Sequence, residues 1–225
     1  MTEQNIILDL LHNKGIFIDK SLNKRLTNKE YSTLFFASII SFSLFGFIIG
    51  INHSLLQAVA STIKVPALFL LTTIITFPSL YFFLAILGLK QNFYQLAAFT
   101  LVCLTMIGGV MVVFAPISFF FLLTTSNYYF FKLLNVAIFG VAGFVGIYYF
   151  YKNIDLVIIK SVAEIYQNRI RKFLKIWLLM FGFIGSQLSY SLSPFFGDPT
   201  EEFMMFTELN RNFFTDVFYS LLHMF

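Results

Sequence analysis

Residues 96–115 read LAAFTLVCLTMIGGVMVVFA, twenty consecutive residues without a charged side chain. A helix of about 20 apolar residues is long enough to cross the roughly 30 Å hydrocarbon core of a bilayer. Because a backbone surrounded by lipid must satisfy its own hydrogen bonds, such a run predicts a membrane-spanning helix. This stretch therefore places the chain among the helical membrane proteins.

The rest of the chain repeats this pattern. Of its 225 residues, 58% are hydrophobic and 12% are charged, and the mean hydropathy is +0.81. A soluble domain carries about twice that share of charge. Four further runs are predicted to span the membrane: residues 34–51, 66–89, 128–150 and 176–192. The predicted fold is all-α, a polytopic transmembrane bundle of five spans over residues 31–192 with interfacial amphipathic helices.

Local signals predict where these helices begin and end. Thr27 and Glu30 have the spacing of a reciprocal capping box, so the first helix should start near Asn28. Proline interrupts helices. Pro66, after Lys64, is therefore predicted to divide an interfacial helix (54–63) from the second span. Pro116 is predicted to close the third span, leaving residues 117–127 as a membrane-dipping or interfacial connection.

Two segments outside the spans show helical periodicity. Residues 152–175 contain six lysines and arginines against two acidic residues, which predicts a basic cytoplasmic surface helix. In the C-terminal segment, 193–225, Asp198, Pro199 and Glu201 have the spacing of a helix start. The apolar positions that follow recur every three or four residues and are interrupted by charges, so we expect an outside-facing amphipathic helix along the membrane.

Basic residues are distributed unequally between the two sides. Twelve lysines and arginines lie in the N-terminal segment (1–30), at the turn after the second span and in residues 152–175, whereas three lie in the opposite segments. The positive-inside rule then predicts a multi-pass protein with a cytoplasmic N-terminus and an outside C-terminus. Since the basic residues flank spans, we expect no nucleic-acid partner.

The sequence lacks the residue patterns that several classes of transporter and enzyme use. The predicted spans contain no Asp or Glu, which argues against proton-coupled pumps and cation carriers. The three histidines are dispersed, and Cys103 is the only cysteine. The serines and threonines in the spans form no nucleophile motif. We therefore expect a non-enzymatic protein with no cofactor and no metal site.

Polar residues in or near the spans are candidates for a pathway. Lys64 and Lys132 either extend their ammonium groups to the outer interface or line an outer vestibule, attracting anions or pairing with acidic residues of the C-terminal segment. Asn135 and Gln187 need partners in lipid, either on a neighbouring helix or in a pore. The second span is locally polar around the Pro78 kink, and it is the candidate to line a pathway with Thr72, Thr73 and Thr76.

Small residues at helical spacing predict close helix packing, within one chain or between subunits. The candidates are Gly46 with Gly50, then Gly140, Gly143 and Gly146, and Gly182 with Ser186.

Four short motifs carry a family resemblance: 78–81 (PSLY), 115–118 (APIS), 185–188 (GSQL) and 194–197 (PFFG). With them the chain resembles an uncharacterised family of bacterial polytopic membrane proteins, some of whose members carry an actin-binding label, although this chain has no soluble module for actin. The resemblance implies a bacterial inner membrane location. The five-span layout is also similar in topology to Yip-type membrane proteins, which are non-enzymatic scaffolds of eukaryotic secretory membranes.

Two functions are consistent with these features. The first is a small, homo-oligomeric channel or permeation subunit, suggested by the kinked polar span, the glycine faces and the two lysines. The second is a non-conducting scaffold or accessory subunit of a larger envelope complex, suggested by the lack of intramembrane acids and by the amphipathic segments. The expected partners are membrane lipids and either a second copy of the chain or another membrane protein.

Overall fold

A computed structural model of the chain describes residues 26–89, 91–125, 127–197, 202–207 and 212–224. All regular secondary structure in these ranges is helical. The helices are α1 (Asn28–Gly50), α2 (Leu55–Ile86), α3 (Phe93–Thr124), α4 (Tyr128–Ser161), α5 (Glu164–Ser191) and α6 (Phe213–Leu222). The first five are long and apolar enough to cross a membrane. The predicted all-α, five-span fold is confirmed.

The start of α1 has the predicted capping box. The backbone N–H of Glu30 donates to the Thr27 hydroxyl oxygen at 3.3 Å, and the Glu30 carboxylate accepts from the Thr27 backbone N–H at 2.7 Å. Because these two bonds satisfy donors that an uncapped helix leaves open, they fix Asn28 as the first helical residue.

Three helix pairs pack closely, α1 with α2, α1 with α3 and α3 with α4. Glycines allow this approach. A Cβ added at Gly46 would lie 2.3 Å from the backbone oxygen of Ser61 on α2, and one added at Gly146 would lie 2.3 Å from the Ile107 side chain on α3. Neighbouring helices run in opposite directions along the chain, so α1, α3 and α5 share one direction.

The fifth helix is held more loosely. On α2, the Thr76 carbonyl and the Ser79 hydroxyl each accept from the indole N–H of Trp177 at 3.2 Å. Near the start of α5, Arg171 forms an ion pair with Asp155 of α4 at 2.5 Å. Further along, Gly140 and Gly143 of α4 and Gly182 of α5 border open space.

We name the two ends of the bundle by their contents. The basic end contains the start of α1, the end of α4 and the start of α5, and its described cations are Lys29, Lys152, Lys160, Arg169, Arg171, Lys172 and Lys175. The α6 end contains the start of α2, the start of α4 and helix α6.

The predictions based on proline were wrong. Helix α2 continues through both Pro66 and Pro78, so residues 54–63 are not a separate interfacial helix. Likewise Pro116 lies inside α3, and residues 117–124 belong to that helix instead of forming a membrane-dipping connection. In lipid no water can bond the carbonyls that a helix break would free, so a kinked helix is favoured over a terminated one.

The predicted single basic helix over residues 152–175 was also wrong. Helix α4 continues to Ser161 and α5 begins at Glu164, so the basic residues lie on the ends of two long helices. With 34 residues, α4 is about 51 Å long and extends well beyond a hydrocarbon core of about 30 Å.

The C-terminal helix is shorter than predicted. Its predicted start at Asp198, Pro199 and Glu201 lies outside the described residues. Residues 202–207 are not helical, and the described helix covers Phe213–Leu222.

Candidate functional site

Helix α5 ends before it reaches the α6 end of the bundle. Gly185 of α5 lies against Thr72 of α2. Because the two helices are antiparallel, the last residue of α5, Ser191, lies near the level of Pro66. The start of α2 is about 11 residues further on, so α5 stops about 16 Å short of it.

Irregular backbone fills the space that α5 leaves. We call the described residues 193–197 and 202–207 the wall segment. Its two parts are joined by a hydrogen bond from the backbone N–H of Thr207 to the Ser193 carbonyl at 2.9 Å. Phe195 and Phe196 are buried against aromatic rings of α4. Non-helical backbone at this depth requires partners from the protein, since lipid offers none.

A polar face of α2 supplies those partners. The Gln57 amide nitrogen donates to the Pro194 carbonyl at 2.7 Å, and the Ser61 hydroxyl donates to the Phe195 carbonyl. The Lys64 ammonium donates to the Pro194 carbonyl at 3.0 Å and to the Met205 carbonyl. Residues 57, 61 and 64 are four and three apart, so they form one face of the helix.

Lys64 is buried, with 3% of its surface exposed. Its ammonium also lies 4.9 Å from the centre of the Phe206 ring, within the range of a cation–π contact. The ammonium therefore points into the protein and joins both parts of the wall segment.

Gly197 allows the wall segment to pass His53. Its φ of +52° belongs to the left-handed region, and a Cβ there would lie 2.8 Å from the His53 ring. Any other residue would meet both backbone strain and a steric clash.

A cavity of about 1010 Å³ lies between α2, α4, α5 and the wall segment. Its lining is polar at the α6 end, where Lys132, Tyr128 and Asp216 contribute. Deeper in the bundle the lining becomes apolar, with Phe69 from α2 and Phe139 from α4. The cavity is therefore amphipathic along its length.

Aromatic side chains close the cavity toward the basic end. Phe181 is among its deepest lining residues. Beyond it the Trp177 ring lies 5.6 Å from the Phe181 ring and 5.6 Å from the Phe150 ring. Phe150 and Trp177 are buried and fill the space between α2, α4 and α5. Aromatic side chains therefore border this end of the cavity.

Helix α6 crosses the gap between α4 and α5 and contacts both helices. On the α4 side, Lys132 forms an ion pair with Asp216 at 2.7 Å. On the α5 side, the Phe214 ring stacks on the Phe183 ring with 6.1 Å between centroids. These contacts make α6 a cover over the polar part of the cavity.

One polar atom of the lining has no partner in the described structure. Gln57 is 1% exposed, and its amide nitrogen donates to the Pro194 carbonyl and to the Ser61 hydroxyl. Its carbonyl oxygen, Oε1, is buried without a hydrogen bond among the described residues. The oxygen is enclosed by protein, and leaving it unpaired costs about 1–3 kcal/mol, which a donor in the cavity would recover once the Gln57 side chain turns toward it.

The structure separates the residues that the sequence grouped together. Six of the predicted pathway or packing residues line the cavity: Thr72, Lys132, Gly140, Gly143, Gly182 and Ser186. Around Gly140, Gly143 and Gly182 no described atom lies within 4 Å of an added Cβ, so these glycines border open space.

The other predicted residues do not line the cavity. The hydroxyl of Thr76 donates to the Thr72 carbonyl on its own helix, and Thr73 is half-buried. Asn135 is fully buried and accepts from the Ser118 hydroxyl of α3 at 2.7 Å. Gln187 is half-buried on α5. Gly46 and Gly50 contact α2, and Gly146 contacts α3.

Sequence reasoning missed Gln57 and the wall segment. The 57, 61, 64 spacing is a visible signal, because three polar residues on one face of an otherwise apolar helix need partners. The partners themselves are 130 or more residues away in the chain and could not be located.

In the described part of the chain, no group of three or more His, Cys, Asp or Glu side chains is arranged to hold a metal ion. The chain matches no family model, no curated protein and no solved structure. What the fold defines is a class, the polytopic α-helical membrane proteins.

Proposed function

We propose that this membrane protein is a permeation protein whose solute occupies the cavity between α2, α4 and α5. The observation that carries the proposal is the 1010 Å³ cavity beside the point where α5 ends inside the bundle. In membrane transporters, interrupted helices and exposed backbone carbonyls occur where a solute binds near the middle of the membrane. The wall segment places non-helical backbone next to the cavity.

The proposed path lies within one chain. Gly140 and Gly143 of α4 and Gly182 of α5 border the cavity, where they widen it. Permeation through this space does not require an axis between subunits. The homo-oligomer inferred from the glycine faces is therefore not part of the present proposal.

The aromatic cluster of Phe150, Trp177 and Phe181 serves as the closed gate in this proposal. Apolar constrictions stop ions and polar solutes because water leaves them. We expect Trp177→Ala to open the constriction, so that purified protein in planar bilayers shows a higher ionic conductance than the wild type. Phe181→Ala provides a second variant that opens the same cluster, and size-exclusion elution reports whether each variant is folded.

A bulky residue in the cavity wall then tests whether the current passes through the cavity. Adding Gly143→Phe to Trp177→Ala should abolish the conductance. Adding Gly109→Phe should leave it unchanged, because Gly109 is exposed on α3, has no described atom near an added Cβ and does not line the cavity. The proposal fails if both gate variants are silent or if the two phenylalanines have the same effect.

The alternative function, a non-conducting scaffold or accessory subunit of an envelope complex, gives a different result. All gate variants would be silent in bilayers, and the protein would be recovered with a partner from mild detergent.

We further propose that the basic end faces the cytoplasm of a bacterial inner membrane, with the C-terminus outside. Seven described cations lie at the basic end, whereas Lys64 and Lys132 are the described cations of the opposite half. A cysteine introduced at Lys172 should react with a membrane-impermeant maleimide only after the cells are opened. The native Cys103 is buried, so it should add no labelling of its own. Labelling in intact cells would reverse the orientation.

A further inference from the structure

We infer that the cavity takes one membrane amphiphile, whose hydrogen-bond-donating head, a primary amine or a hydroxyl, binds near Gln57 and whose hydrocarbon chains occupy the apolar part. The inference rests on the proposed function, because it names the class of molecule that the solute cavity receives. It depends on the size, the opening and the polarity of the cavity together with the unpaired oxygen of Gln57.

The size of the cavity suits a lipid. Its volume lies at the upper end of the range of about 300–1,000 Å³ found for small-molecule sites. Along α2 its lining extends from Gln57 to Thr72, fifteen residues or about 22 Å. A bilayer of about 40–45 Å including the headgroups has leaflets of about 20–22 Å. One leaflet-long molecule therefore fits the cavity from end to end.

The cavity is bordered by a lateral gap between α4 and α5. Gly140 on α4 and Gly182 on α5 are both exposed and border open space. Phe144, which lines the cavity next to Gly143, is 71% exposed. Helix α6 covers the polar end of the same gap. A molecule from the surrounding leaflet can therefore enter sideways between α4 and α5 without leaving the bilayer.

The deeper lining matches hydrocarbon chains. The rings of Phe69, Phe139 and Phe181 and the side chain of Ile147 surround this part of the cavity. The charged lining residues, Lys132, Glu202 and Asp216, belong to the start of α4, the wall segment and α6. Chains placed among the aromatic rings would stay in apolar surroundings, as they are in the leaflet, while the head would lie beside the polar groups.

The polar end selects a donor. Lys132 and Asp216 neutralise each other at 2.7 Å, so this pair offers no net charge to an anionic head. The ammonium of Lys64 is used by the wall segment. Once the Gln57 side chain turns toward the cavity, its unpaired Oε1 can accept a hydrogen bond from the head. An amine or a hydroxyl head can donate that bond, and a trimethylammonium head cannot.

Native mass spectrometry of the full chain, released from bilayers, tests the inference. The bilayers contain equal parts of phosphatidylethanolamine and phosphatidylcholine with the same acyl chains. We expect one retained lipid per chain, with the amine-headed lipid about tenfold preferred, the ratio expected for one hydrogen bond to a charged donor. Gly143→Phe should remove the retained lipid, and Gly109→Phe should keep it.

A second pair of variants tests the head. Gln57→Leu removes Oε1 and should reduce the preference for the amine to about onefold. It also removes one bond to the wall segment, so Ser61→Ala is the matched control: it removes the bond to the Phe195 carbonyl and leaves Oε1 in place. Ser61→Ala should keep the tenfold preference.

Three results would overturn the inference: no retained lipid, equal retention of the two lipids by the wild type, or retention that Gly143→Phe does not affect. If the gate variants still conduct through the cavity in that case, the permeation proposal stands without a lipid. If lipid is retained as expected and the gate variants are silent, the cavity is a lipid site and permeation is refuted.

Discussion

Replacing Lys64 by methionine should weaken the attachment of the wall segment to α2. The methionine side chain is apolar and about as long as that of lysine, so it fills the same buried space without the charge. The variant loses the charged hydrogen bonds to the Pro194 and Met205 carbonyls and the contact with the Phe206 ring. The effect should be local, because α2 itself keeps its helical hydrogen bonds.

The size of this effect depends on which hydrogen bonds the Pro194 and Met205 carbonyls keep in the variant. A hydrogen bond to a charged group contributes about 1.5–3 kcal/mol, and a cation–π contact about 0.5–2 kcal/mol. The Pro194 carbonyl retains its bond from Gln57, so the loss at Met205 dominates. We expect the free energy of detachment to fall by about 2–4 kcal/mol. The global free energy of unfolding should change less, because removing a buried charge also removes its desolvation cost.

Amide hydrogen exchange measures detachment directly. The Thr207 amide, which bonds to Ser193 within the wall segment, is a suitable probe. A change of 2–4 kcal/mol accelerates exchange about 30- to 700-fold when opening is local. Lys172→Met, at an exposed position near the start of α5, is the matched control and should leave exchange unchanged. Unchanged exchange in Lys64→Met would refute the proposed role and favour an ammonium that extends to the interface.

Three further changes test the packing of the bundle. Gly46→Ala should lower the free energy of unfolding in denaturing detergent by about 1–3 kcal/mol, because the new Cβ meets the α2 backbone. Gly109→Ala is the control and should be neutral. Equal stabilities of the two variants would contradict the close α1–α2 contact. Asn135→Leu should cost about 0.6–1.7 kcal/mol in the same assay through its lost interhelical hydrogen bond, and a more stable variant would contradict this. Lys132→Asp should increase proteolysis of α6, and a further Asp216→Lys should restore protection; no rescue would mean that the pair does not hold α6.

Much of the fold follows from local sequence. Uncharged runs of spanning length predict five crossings because lipid leaves the backbone no alternative to a helix. The Thr27–Glu30 capping box predicts the start of α1 because its bonds form within one turn. The end of α5 near Leu192 was predicted as well, since the polar Ser193 and Pro194 follow it.

The errors came from rules that hold in water. Pro66 and Pro116 were taken as helix ends, but lipid makes a terminated helix more costly than a kinked one. Val162 and Ala163 carry no strong breaking signal, yet they separate α4 from α5 in place of a single basic helix.

The candidate site was predicted only in part, because it depends on contacts between distant parts of the chain. Thr72 and Lys132 were among the pathway candidates and line the cavity. The burial of Lys64 could not be inferred, since its carbonyl partners lie in a non-helical segment far along the sequence. Gly143 and Gly146 looked equivalent, yet one borders the cavity and the other packs against α3.

The distance along the chain between Lys64 and its carbonyl partners has a consequence for biosynthesis. The ammonium enters the membrane with α2, and the Pro194 carbonyl is synthesised 130 residues later. Until then the charge has to extend toward the headgroups, as lysines near helix ends do. The contact between α2 and the wall segment therefore cannot form until the chain beyond α5 has been synthesised. A chain truncated after α5 would leave Gln57, Ser61 and Lys64 without these carbonyl partners.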